Sequence, residues 1–194
     1  KSLAVQRRIR GVILDDNGKV VEYLDPKSWL GQQRDGSRGQ VMDEIPMHYF
    51  RFITDGTKRR AMISEYPLPG YKQIPLQYIS AYEASVQRST NKLASVANTT
   101  ADYRGGGNQT SYDGTSATLL GRPATSISRT NFRNYARNRK AGSTAWNCMT
   151  YQAQKTIFWL FAIEYATLNT QAAYNAELTS EGYHQGGLGA GVTN

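Results

Sequence analysis

The chain has 194 residues, 39% hydrophobic and 20% charged, with a mean hydropathy of -0.57, which fits one domain with a real core, or one with an irregular N-terminal arm, argues against two large domains and excludes a membrane-embedded protein. Its longest apolar run, Ile157 to Ile163, is far short of the roughly 20 residues that cross a bilayer. A single cysteine and two histidines exclude an internal disulfide and leave too few ligands for a zinc site of usual spacing.

The first elements read as hairpins. Arg8 to Leu14 and Lys19 to Leu24 flank Asp15-Asp16-Asn17-Gly18, and Asn-Gly between apolar runs marks a tight turn because both residues tolerate positive φ. Residues 25–40 are polar and Gly-rich, a loop that contains Trp29. A second hairpin follows: Met47 to Ile53 and Arg59 to Ser64 around Thr54-Asp55-Gly56-Thr57. Pro67, Pro69, Gly70 and Pro75 interrupt regular pairing until Gln77 to Ala84, whose alternation predicts another strand. From 85 to 121 the chain is rich in Ser, Thr, Asn and Gly, and a long exposed loop is expected. Its Gly105-Gly106-Gly107 run is not followed by Lys-Ser/Thr, so it does not match a phosphate-binding loop.

Two helices close the readable pattern. Ser128 is placed to cap a helix over 129–139 that turns Phe132, Tyr135 and Ala136 toward a core and Arg129, Arg133 and Arg137 along another face. The next runs from about Tyr151 to Leu168. It has an Ile157, Leu160, Phe161, Leu168 stripe and further apolar residues nearly all round, so it is expected inside a core, where Glu164 needs a partner. Beyond Leu178, glycines dominate. Strands followed by helices give an α+β pattern.

The net charge of +8 is uneven. Residues 122–140 hold six Lys/Arg and no acid, against twelve and eight over residues 1–60. This basic segment could meet phosphates through Arg129, Arg133 and Arg137, with Tyr135 stacking on a base. Alternatively the arginines neutralise Glu164, Glu83 or a neighbouring subunit's carboxylates. Cys148, beside Trp146 and Met149, is expected as a buried hydrophobe rather than a nucleophile. The carboxylate pairs Asp15-Asp16 and Asp43-Glu44 are expected as solvated turn acids, and His48, in an apolar strand, as a structural histidine. Thirteen tyrosines with many Ser, Asn and Thr supply the rigid rings and adaptable hydrogen-bonding groups that recognition surfaces favour. Tyr103 and Tyr112 thus join the three helix arginines as candidate ligand or partner contacts.

Three stretches carry a resemblance: Tyr78-Ile79-Ser80-Ala81-Tyr82-Glu83-Ala84-Ser85, then Gly121-Arg122-Pro123-Ala124-Thr125-Ser126-Ile127-Ser128 leading into a helix, then Trp159-Leu160 with Glu164-Tyr165-Ala166. In order and character they resemble the first half of the formylglycine-generating-enzyme type of C-type lectin fold, over roughly residues 77–170. Ile63 to Gly70, Tyr82 to Thr90, Ile127 to Arg133 and Leu178 to Gly182 resemble tail proteins of gut Bacteroidales phages and prophages, in which this fold sits at a fibre tip. The resemblance implies an N-terminal β-hairpin region, 1–76, and a C-type-lectin-like core, 77–194, with 85–121 as an exposed loop. It also implies that the fold is incomplete at its C-terminus, because the pattern's later ligand-binding strands do not follow.

What the resemblance implies for function is a non-catalytic receptor-binding module of a phage tail, located on the virion or extracellularly. Its expected partners are a bacterial surface glycan or protein and other tail proteins, as a homo-oligomer such as a trimer, without membrane insertion. No cofactor is expected, because the family's oxidation chemistry relies on a copper-binding cysteine pair late in the fold, whereas this chain has Cys148 alone. A structural tail-assembly role is the alternative, and a nucleic-acid module using 122–140 ranks below both.

Overall fold

The computed structural model describes residues 3–107, 120–125 and 127–170. The expected α+β class is observed: antiparallel sheets with few helices. In chain order the elements are a one-turn helix α1 (Ala4–Arg7), strands β1 (Arg10–Leu14), β2 (Val20–Tyr23), β3 (Gln40–Ile45), β4 (His48–Asp55), β5 (Lys58–Ser64), β6 (Lys72–Ile74), β7 (Gln77–Ser80), β8 (Ser85–Gln87) and β9 (Lys92–Ala94). Then come β10 (Tyr103–Arg104), β11 (Gly106–Gly107), β12 (Ala124–Thr125), and helices α2 (Arg129–Arg137) and α3 (Tyr151–Tyr165). Among the described residues no helix is long and apolar enough to cross a membrane.

The strands form sheets ordered β2-β1-β3-β7, β5-β4-β6 and β10-β8-β9, with a short parallel β11-β12 pair. Both predicted hairpins form. In the first, the Asp15 carboxylate accepts from the Lys19 amide at 2.8 Å, and Gly18 takes a φ of +81° that a side chain would resist. In the second, seven residue pairs zip from Tyr49↔Ser64 to Asp55↔Lys58 around Gly56, at φ +57°. Gly39 answers a different demand. A Cβ there would lie 2.2 Å from the Leu14 carbonyl oxygen, at φ +141°, so the chain entering β3 can approach the end of β1 only without a side chain.

The chain gathers into two compact units. Among the described residues, one comprises 3–10, 44–79 and 149–170; the other comprises 11–43 and the described part of 80–148. The first is centred on Val5, Ile45, Ile79 and Leu160, with Ile9, Ile63, Ala153 and Ile157 against them. There the buried Gln6 amide donates to the Leu160 carbonyl at 3.0 Å. The second has two clusters: Ile13, Leu24 and Val41 beneath Trp29, Ala81 and Tyr82, and Val86, Leu93 and Ala136 beneath Phe132, Tyr135, Ile127, Ala84 and Ala124.

Several expectations are corrected. The expected exposed loop over 85–121 begins instead as the β8–β9 hairpin, with Val86, Leu93, Ala94, Ser95 and Val96 all buried. Three-residue strands joined by the polar turn at 88–91 carry too little periodicity to be recognised locally. The strand expected over 77–84 ends at Ser80. Helix α3 starts as expected, Thr150 capping the Ala153 amide at 3.2 Å, but it stops at Tyr165 because Ala166 adopts the left-handed conformation. It is not buried all round: Thr156, Leu160 and Ala162 are buried, whereas Phe158, Trp159, Phe161 and Ile163 are half-buried and Leu168, beyond its end, is 69% exposed.

Candidate functional site

Helix α2 is built as its sequence predicts. The Ser128 hydroxyl accepts from the Asn131 amide at 3.2 Å, and Phe132, Tyr135 and Ala136 pack on Val86 and Leu93. Its arginines do not make one open stripe. Arg129 is exposed, but Arg133 and Arg137 are half-buried, each with its Nε enclosed. Tyr103 sits half-buried in β10, where burial, and next the charge of Asp102, pushes its phenol above its usual range. Its hydroxyl lies 3.0 Å from where a Cβ on Gly36 would stand. Tyr112, the remaining candidate contact, lies outside the described residues.

Two residues past the helix, Arg139 does something the charge count could not reveal. Only 7% exposed, it donates through Nε to the Leu93 carbonyl and through Nη1 to Asp16 Oδ1 at 2.7 Å, with its guanidinium carbon 5.7 Å from the Trp146 ring centre. Lys92 holds the other Asp16 oxygen at 2.9 Å, and the Trp146 indole donates to the Asp16 carbonyl at 2.9 Å. Partial burial opposes ionisation of Asp16, yet the bonds from Lys92 and Arg139 prevail and hold its carboxyl below the ordinary range. Asp16 is therefore not a solvated turn acid. It ties the first hairpin turn to β9, the end of α2 and the 146 loop. The second expected turn acid fares likewise: Glu44 lies in β3, 7% exposed, accepting from Arg10 at 2.9 Å and from the Tyr78 hydroxyl at 3.2 Å.

His48 is structural, as expected. It is 2% exposed, its Nδ1 lies 2.8 Å from the Pro46 carbonyl, and burial pushes its imidazole toward the neutral form. Cys148 is half-buried rather than enclosed, with Sγ 3.6 Å from the Asn147 amide oxygen. Among the described residues no group of three or more His, Cys, Asp or Glu could hold a metal ion.

The surface chemistry lies elsewhere. Of the large hydrophobic side chains that stand exposed among the described residues, Met47, Phe52, Tyr66, Leu68, Leu76, Met149, Tyr151, Tyr165 and Leu168 belong to the first unit, and Val21, Tyr23 and Leu30 to the second. In the first unit the β5-β4-β6 sheet has two unlike faces, because directly opposed antiparallel residues share a face. One carries Phe50, Phe52, Ala61 and Ile63, with Phe50 and Phe52 6.1 and 5.6 Å from the Trp159 ring of α3. The other carries Tyr49, Arg51, Ile53 and Asp55 from β4, opposite Ser64, Met62, Arg60 and Lys58 from β5. No family model, curated protein or solved structure matches the chain.

Proposed function

We infer that this chain is a non-catalytic receptor-binding module of a phage tail, and that its α+β fold is of the C-type-lectin-like, formylglycine-generating-enzyme type. The observation that carries the reading is the display of Phe52 on β4 and of Tyr151 and Tyr165 on α3, each at least 48% exposed, with Tyr66, 70% exposed, in the segment after β5 of the same unit. Exposed aromatic side chains held by regular elements are rigid binding groups that lose little entropy on contact. The tail-protein resemblance supplies the setting: a virion-borne or extracellular protein whose partners are a bacterial surface ligand and other tail proteins, working as a homo-oligomer such as a trimer. The residues most capable of chemistry are occupied structurally, His48 by the Pro46 carbonyl and Glu44 by Arg10 and Tyr78.

Fluorescently labelled chain mixed with intact Bacteroidales cells tests the reading. Saturable binding, reduced when the cells are stripped of surface glycan or protein, is the expected outcome. Absence of cell binding, with tight co-purification alongside other tail proteins, replaces receptor binding with a structural role in tail assembly, for which the same exposed apolar side chains would serve. The nucleic-acid reading of 122–140 loses most of its basis, because Arg133 and Arg137 are half-buried and Arg139 is internal.

A further inference from the structure

The β5-β4-β6 sheet carries five cations, Arg51, Lys58, Arg59, Arg60 and Lys72, against one acid, Asp55. The register divides them. Arg59 opposes Thr54 and Lys72 opposes Phe50, so both belong to the face that meets Trp159. Arg51, Arg60 and Lys58 share the other face, one at each successive cross-strand pair: Arg51↔Met62, Ile53↔Arg60, Asp55↔Lys58. Alternate residues of a strand are about 7 Å apart, so the three cations form a ladder spanning roughly 14 Å.

These cations are weakly engaged. Arg60 meets Asp55 at 3.3 Å with both side chains at least half exposed, an arrangement that contributes little to stability. Arg51 donates to the Pro69 carbonyl at 3.2 Å, a contact that leaves its charge without a counter-ion there. Between and beside the cations lie the half-buried apolar Ile53 and Met62, the Tyr49 ring, the Ser64 hydroxyl and the Gln73 amide, which opposes Tyr49 from β6. A sheet face of this composition fits a chain-like ligand bearing separated negative charges and many hydroxyls.

We propose that this face binds an acidic polysaccharide, a polymer of carboxylate-bearing sugars. The inference rests on the receptor-binding reading above and names the chemical class of receptor. Arg51, Arg60 and Lys58 meet the sugar carboxylates, while Asp55, Ser64, Gln73 and Tyr49 exchange hydrogen bonds with the hydroxyls between them. Asp55 argues against nucleic acid as the occupant. A DNA backbone has no hydroxyl to donate to a carboxylate set in the ladder, whereas the many hydroxyls of a sugar polymer can donate to it. Single-stranded nucleic acid also calls for successive stacking rings, and this face offers Tyr49 alone, about 20 Å from Lys58 at the opposite end of the ladder.

The full chain is titrated with polygalacturonate, neutral dextran and oligothymidylate at low and moderate salt. Binding of polygalacturonate that weakens with salt, without binding of dextran, is expected. The double variant Lys58→Gln/Arg60→Gln loses at least tenfold in that affinity, while Arg59→Gln/Lys72→Gln, which removes the same charge from the opposite face, stays within twofold of the parent. Thermal melts of both variants control for folding. Equal losses in the two variants overturn the proposal in favour of diffuse charge attraction, and tighter binding of oligothymidylate overturns it in favour of nucleic acid. If polygalacturonate is not bound while labelled chain still binds whole cells, the proposal fails and the receptor-binding reading stands on another surface. If neither is bound, both fail.

Discussion

The two units differ in where they place part of their cations. In the unit of 11–43 and 80–148, four cations are turned inward, while Lys19, Lys27, Arg38, Arg122 and Arg129 stay exposed: Arg139 and Lys92 converge on Asp16, Arg34 reaches the Tyr82 hydroxyl at 2.8 Å, and Arg88 donates to the Gly105 carbonyl at 3.1 Å. In the unit of 3–10, 44–79 and 149–170, Lys58, Arg59, Arg60 and Lys72 stand exposed on a sheet, and most of the exposed large hydrophobics among the described residues are there too. The segment with the greatest positive excess, 122–140, leaves Arg122 and Arg129 exposed but half-buries Arg133 and Arg137 and encloses Arg139. Linear charge density is therefore a poor guide to a binding face. What makes a cation available is its position on an uncovered face with few acids beside it.

This contrast can be broken most severely at Arg139. Arg139→Ala leaves Asp16 with Lys92 alone, takes a donor from the Leu93 carbonyl and removes the guanidinium from Trp146. It should cost about 3 kcal/mol in a chemical-denaturation midpoint series, the low end for a broken buried pair because the Asp16 side chain is 41% exposed. Arg129→Ala, ten residues earlier at the start of α2 and exposed, should shift stability by no more than about 0.5 kcal/mol. If the two variants match, the inward use of charge is not what stabilises this unit.

In the other unit the test is apolar. Leu160 is 4% exposed in the core around Val5, Ile45 and Ile79, so Leu160→Ala should cost about 2.5 kcal/mol, measured by the same denaturation series. The value falls in the lower part of the usual range because the flanking helix residues are half-buried and can settle toward the gap.

The pH dependence gives a smaller, signed effect. Burial lowers the His48 pKa below the ordinary 6.5, so between that value and the depressed folded one the unfolded chain binds the proton and the native chain does not. Stability from this group therefore falls as pH drops below about 6.5. A His48→Gln variant should lose that slope in thermal melts taken from pH 7 to pH 5. Asp16 acts in the same direction at more acidic pH, since its pKa is lowered from 3.8 and its pairing is lost as pH falls through the folded value. The smallest effect belongs to Tyr66→Ser. At 70% exposure it should leave the denaturation midpoint within about 0.5 kcal/mol of the parent while weakening binding to whole cells, which would separate display from stability.

Much of the local architecture could be read before folding was considered. Asn17-Gly18 and Asp55-Gly56 announce their hairpins because their backbone freedom is a property of the residues themselves, and Ser128 and Phe132 announce α2 because caps and helical spacing act within one or two turns. Strand β3 escaped notice because Gln40, Val41, Met42, Glu44 and Ile45 are all buried, which removes the alternation that marks a half-buried strand. Helix α1 and the strands β6, β8 and β9, at three or four residues each, are too short for any period to register.

The sequence by itself determined the α+β class, the two main hairpins, the capped starts of both longer helices and the apolar faces of α2, because those follow from interactions between residues a few positions apart. The tertiary structure alone decided which charges are free. Asp16 meets Arg139 across 123 positions and Glu44 meets Arg10 across 34, whereas Arg51, Arg60 and Lys58 are set on one face by strand register. Whether a cation is neutralised depends on what packs beside it, and that is a long-range fact.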